Sequence, residues 1–443
     1  MADSSSNKRP LWAAIGILSL AALGAFAWFQ PFGASDQETA DGPPPVPRYD
    51  EEYPAVGYST RPARNRVTRL IDRVESGELR LEFQPPRGFL DTMLDALEID
   101  PASQLLVFSK TSLQVRGVDP SHPRAIYFND DTYVAFVEGA RNLEIASMDP
   151  ELGPVFFNLV QDPEAAPEFE RHNGRCLRCH DSYSMTGGGV PRFLLGSAYI
   201  GADGELVSHE ARIITNQRTQ IRSRWGGWYV TGFHGDQVHL GNIVVRDVAD
   251  LQDLEALRIG NRANLDGLLD TSVYPTNFSD IVALLVIEHQ IDVQNAISRV
   301  RFDTVTLLAA NDPDEQRDRI AEIVEPLVRS LFMVDAAELG DAVRGTSGFA
   351  EWFQAQGPAD SQGRSLRQLA LQTRVFRYPL SYLIDSEALD NLPAPAKAQV
   401  YRRVAEVVDG TDASGDFDHV DAADRAAIRE ILRATKPEIL AGS

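Results

Sequence analysis

Cysteine is almost missing from this sequence: there are two in 443 residues. That excludes a multi-disulfide scaffold and leaves too few thiolates for a cysteine-based structural zinc site. Positive charge is also in short supply. Lys and Arg number 42 against 64 Asp and Glu, a formal net charge of −22. A surface of that sign repels nucleic-acid phosphates, so no nucleic-acid partner is expected. It suits solubility, or a partner with a basic docking face. Methionine is scarce at five residues, and no internal repeat is present.

One uncharged run is long enough to concern a membrane. Leu11 to Phe29 follows Lys8 and Arg9 and precedes Asp36, Glu38 and Asp41. That length and that basic flank predict a single-pass anchor within residues 1 to 30, with the bulk of the chain in the periplasm. Ala25-Phe26-Ala27 also fits a cleavage site, so a cleaved signal and a soluble periplasmic protein form the alternative.

Residues 31 to 62 are rich in Pro, Asp and Glu and include Pro43-Pro44-Pro45. A disordered tether is expected there. The folded region is expected over 63 to 443, strand-rich from 63 to 165. Two short helices should flank a strand at Leu79 to Phe83. Ala125 to Phe128 and Thr132 to Val137 flank Asn129-Asp130-Asp131, a hairpin signal. Asn142 to Ala146 and Val155 to Leu159 flank a second turn at Asp149-Pro150 and Gly153. Residues 166 to 245 hold a central, glycine-rich segment, and 278 to 443 read as helical. Ser279 to Val300, Glu315 to Val334, Ala394 to Val408 and Ala422 to Ala434 carry helical periodicity. Strands first and helices last make an α+β class.

The two cysteines fall together, in Arg175-Cys176-Leu177-Arg178-Cys179-His180. Cys-X-X-Cys-His is the attachment pattern of a c-type haem. One helical turn brings both sulfurs to the same edge, where each can join a vinyl group as a thioether. The imidazole of His180 then reaches the iron as its proximal ligand. A redox-active dithiol gives no reason for the immediate histidine, and zinc would lack further cysteine ligands. One covalent haem c is therefore expected, with a haem maturation machinery as partner.

The stretch CLRCHDSYSMTGGGVPRFLLGS, residues 176 to 197, resembles class I cytochromes c. In that family a glycine-rich loop and a proline follow the motif, and the proline carbonyl receives the hydrogen bond of the proximal imidazole. Gly187-Gly188-Gly189-Val190-Pro191 matches that layout, so the resemblance implies that Pro191 orients His180. The family's usual distal ligand is methionine. Met93 and Met333 sit in helical apolar patterns, Met185 is too near His180 to round the ring, and Met148 precedes a turn.

Histidines offer more. Arg224 to Asn242 gathers Trp225, Trp228, Tyr229, Phe233, His234 and His239 among five glycines, a wall suited to a flat aromatic cofactor. His239 is the favoured distal ligand and His234 the second; His209 and His289 lie outside this segment. The aspartates from Asp409 to Asp424 do not match a calcium loop and read as a solvated turn.

Two functions follow. One is electron transfer through the covalent haem to a redox partner protein in the membrane or periplasm. The other is a haem-dependent oxidoreductase, peroxidase-like or acting as a small-molecule oxidase or dehydrogenase, with an open distal site. A di-haem peroxidase is excluded by the single motif.

Overall fold

The turns begin the architecture. The Asn129 side chain accepts from the Thr132 amide at 3.0 Å, closing the tight reversal that the Asn-Asp-Asp triplet encodes. Asp149 accepts from the amides of Glu151 and Leu152, each at 2.9 Å. Gly153 beside it has φ +70°, a left-handed conformation that costs glycine little. These turns stack consecutive strands: β1 (Leu105–Val107), β2 (Arg124–Phe128), β3 (Thr132–Phe136), β4 (Asn142–Asp149), β5 (Gly153–Val160) and β6 (Phe169–Arg171). They form one antiparallel sheet in sequence order. The structure is a computed structural model that describes residues 53–111, 117–182, 188–208, 212–246, 250, 260–310 and 313–442.

One face of the sheet is a dry core. Ala125, Tyr127, Val134, Phe136, Leu143 and Ile145 pack with α1 (Arg66–Glu75) and α2 (Leu90–Ala96) through Val67, Leu70, Leu90 and Met93. Helix α1 starts where the Asn65 side chain and the Thr68 backbone and hydroxyl cap one another reciprocally. The register groups two rows on the other face. Ile126, Ala135, Glu144 and Asn158 are cross-strand neighbours, as are Phe128, Tyr133, Ala146 and Phe156. The alanines leave room there, and Ile126, Ala135, Glu144 and Ala146 stay half-exposed.

The short helix α3 (Gly174–His180) follows β6, and a two-stranded sheet, β7 (Leu195–Ser197) with β8 (Ile213–Thr215), follows that. Then comes α4 (Ile281–Ala309), capped by Asp280, whose side chain accepts from Val282 and also from the amides of Thr346 and Ser347. At 29 residues it is about 43 Å long. It is buried without interruption from Ile281 to Ile291 and is the spine of the second core. Helices α5 (Pro313–Leu331), α6 (Phe349–Gln354), α7 (Glu387–Asp390), α8 (Ala394–Asp409) and α9 (Ala422–Thr435) complete it. The fold is α+β, strands in the first half and helices in the last part.

Three expectations change. Leu79 to Phe83 forms no strand; only an isolated bridge between Gln84 and Gly88 follows it. Residues 53 to 62, assigned by composition to the tether, are docked: Tyr58 is fully buried and donates to the Pro154 carbonyl at 2.6 Å. A buried phenol with a backbone acceptor outweighs the polar residues around it. The membrane and transmembrane placement is also corrected. Among the described residues no helix is long and apolar enough to cross a membrane, and Leu11 to Phe29 lies outside them.

Candidate functional site

Helix α3 has seven residues and a single buried one, Leu177. Leu177 pins the helix, so the residues around it turn elsewhere. Cys176 is half-buried and Cys179 exposed. Standing three apart, they share one face. Both thiols are free. Burial, with Glu144 nearby, pushes the Cys176 thiol up to about 12. It is therefore a neutral thiol, unlike the thiolates that bind metals or attack disulfides. Among the described residues no three His, Cys, Asp or Glu gather to hold a metal ion.

His180 closes the helix and is fixed by a two-way bridge. Its Nδ1 lies 2.7 Å from the Arg192 carbonyl, while the Arg192 amide donates to the His180 carbonyl at 2.9 Å. A carbonyl only accepts, so Nδ1 carries the proton and Nε2 is left with its lone pair. Nε2 makes no hydrogen bond among the described residues. Burial lowers the imidazole below the usual histidine range, and the Arg192 carbonyl opposes this only in part. A neutral ring with Nε2 unprotonated is the form that ligates metals. The ring rests on Phe156, centroids 4.5 Å apart.

The expected acceptor, Pro191, is replaced by its neighbour. The bridge uses both the amide and the carbonyl of one residue, and proline has no amide N–H to give. Arg192 is held in turn from α4. Asn295 accepts from the Phe193 amide and donates to its carbonyl, each at 2.9 Å. One turn further on, Arg299 donates to the Gly188 carbonyl at 3.1 Å. Gly188 and Gly189 have φ +70° and +77°, which accounts for glycine in that loop. Asn295 went unnoticed in the sequence; its only signal is an amide inside an apolar helix.

Cys176, Cys179 and His180 open into one cleft. Its floor is the half-exposed sheet face, with Ile126, Tyr133, Ala135, Glu144, Ala146 and Phe156. Its walls are α3, the β7–β8 pair with Arg212, Gly226 and Trp228, and Ile287 and Ile291 of α4. Its cavity volume is about 240 Å³, just below the range of ordinary small-molecule sites, and it widens into an open mouth. Gly226 is required in its wall by close backbone packing. A Cβ on Gly226 would meet the Ala198 carbonyl oxygen at 2.4 Å.

His239 and His234 are not in this cleft. They are buried against each other, Nε2 to Nε2 at 3.3 Å. His239 Nδ1 accepts from the Gly241 amide at 3.0 Å, and His234 Nδ1 donates to the Gln237 carbonyl at 2.8 Å. The proton between them thus belongs to His239, and all four ring nitrogens are engaged. Of the expected aromatic wall, Trp228 reaches the cleft; Trp225, Tyr229 and Phe233 do not. Met148 packs in the α4 core and takes a weak hydrogen bond from Ser298 at 3.8 Å. Met185 and His209 lie outside the described residues.

Comparison with protein-family models, curated proteins and solved structures finds no match. The functional reading therefore stands on this geometry.

Proposed function

We propose that the chain is a monohaem c-type cytochrome that transfers electrons through a haem joined to Cys176 and Cys179, with His180 as the proximal iron ligand. One observation carries this: two free thiols one helical turn apart and an imidazole with an unprotonated Nε2 share one apolar cleft. The donor chemistry fits. Thioether formation uses neutral thiols, and Cys176 is one; the Arg192 carbonyl is the fixed acceptor that a proximal histidine needs. When bound, haem supplies a one-electron couple. The chain's own part is to orient His180, line the cleft with apolar surface and leave one edge at the surface.

That edge favours electron transfer. Cys179, Arg175 and Arg178 are exposed on α3, so a redox partner would approach there. The local charge is positive although the chain is acidic, which favours acidic groups on the partner at this point.

The oxidoreductase reading keeps one observation in its favour. Among the described residues lining the cleft, His180 is the sole imidazole and no methionine is present. Optical spectra of the oxidised and reduced protein separate the two. A low-spin, six-coordinate centre that ignores carbon monoxide supports electron transfer. A high-spin centre that binds it readily supports the oxidoreductase.

A further inference from the structure

The cleft has an electrostatic bias that covalent attachment does not use. Among the described residues its charged lining is Arg124, Arg175 and Arg212 against one carboxylate, Glu144, in a chain of net charge −22. Arg175 is exposed at α3, whereas Arg124 is the first residue of β2, with 16% of its side chain exposed. Among the described residues Arg124 makes one side-chain hydrogen bond, Nη1 to Glu144 Oε2 at 3.1 Å. Its Nε is buried with no hydrogen-bond partner among the described residues. A guanidinium has five N–H donors in a planar fork matched to carboxylate. Leaving a buried donor unmet is costly, and native structures rarely do so without cause. Apolar neighbours in the lining, Ile126, Ile214 and Trp228, lower the local dielectric and strengthen any charge pairing.

We propose that Arg124 is an anion pole that receives the carboxylate or oxyanion groups of the cleft's ligand. Glu144 holds the Arg124 guanidinium in place and competes with the ligand for it. The anion has two sources: the two carboxylates a haem carries, or a small free oxyanion. The inference rests on reading the cleft as a ligand site.

The test titrates the purified full chain, without attached haem, with protoporphyrin IX, its dimethyl ester and acetate, following tryptophan fluorescence. The free acid should bind about tenfold or more tightly than the diester, the scale of a charge-assisted hydrogen bond. Arg124→Gln should erase that preference. Glu144→Gln should tighten the free acid, an opposite sign that loss of fold cannot produce. Arg124→Lys should keep part of the preference. If acid and ester bind alike but acetate binding depends on Arg124, the anion is the free one. If both porphyrins bind alike and no variant alters porphyrin or acetate binding, the anion pole is wrong and the haem reading survives. If neither porphyrin binds while acetate still depends on Arg124, the haem reading falls and the pole stands.

Discussion

The cleft beside α3 and the polar stretch of α4 use the same residue types to opposite ends. In the cleft, His180 commits one nitrogen to the Arg192 carbonyl and leaves Nε2 without a hydrogen bond among the described residues. On α4, His289 engages both: Nδ1 with Gln217 Oε1 and Nε2 with the Ser381 hydroxyl, each at 2.7 Å. Arg124 in the cleft makes one side-chain bond among the described residues. Arg224, against α4, uses all three nitrogens, on Glu288, Thr219 and Gln217. Gln290 donates to Asn129 and Tyr133 and accepts from Tyr382. What separates an available site from a structural network is unmet bonding capacity facing open space, not residue type. Tyr133 joins the two regions: its ring lines the cleft and its hydroxyl donates to Gln294 at 2.6 Å.

That contrast predicts where substitutions cost stability. Arg224→Ala strands the Glu288 carboxylate, 1% exposed, and should cost about 3–5 kcal/mol in urea unfolding. His180→Ala should cost only about 1 kcal/mol, the ordinary scale for a point change. Equal losses would erase the distinction. The Arg224→Ala loss is also pH-dependent. Burial already raises the Glu288 pKa despite Arg224. Stability from such a group is present below the ordinary glutamate range and is lost as pH rises through the raised value. The variant should therefore recover on acidification.

His289 gives a second pH effect, of opposite sense and smaller over any one pH unit. Burial lowers it to about 3, with Arg218 adding to the shift. A depressed histidine supports the fold above its unfolded value of about 6.5, and that support is lost as pH falls toward the folded one. The slope should approach about 1.4 kcal/mol per pH unit for this group, and His289→Gln should flatten it. The same slope in both proteins would show that the ring takes up a proton without penalty. A small effect, on the scale of His180→Ala, is expected at Asn295. Asn295→Ala should cost about 1 kcal/mol while loosening Arg192 and hence His180. Its specific readout is faster solvent exchange of the His180 Nδ1 proton by NMR. Unchanged exchange would remove Asn295 from the positioning chain.

Much of the fold was legible because local chemistry encodes it. The triplet Asn129 to Asp131 and the turn before Gly153 placed two hairpins, and apolar periodicity placed α5, α8 and α9 to within a few residues and the start of α4, which runs nine residues past the expected Val300. The motif at Cys176, Cys179 and His180 was legible as adjacent residues. What surrounds it was not, because the cleft is assembled from strands, α3 and α4 far apart in sequence. The alanines at 135 and 146 read as ordinary strand residues until register set them in adjacent rows of one sheet face. His234 and His239 misled for the converse reason: glycine and aromatic density signals tight packing, and here the packing satisfies the histidines within their own loop. Pro191 was one residue off because a motif gives spacing but not which backbone groups are paired.

The central claim is tested most directly by intact-mass analysis of the full chain expressed with a c-type haem maturation system. The account predicts a denaturation-resistant mass increase of one haem, lost when Cys176 and Cys179 are both changed to alanine. An unmodified chain, made beside a control cytochrome that matures fully, would contradict it.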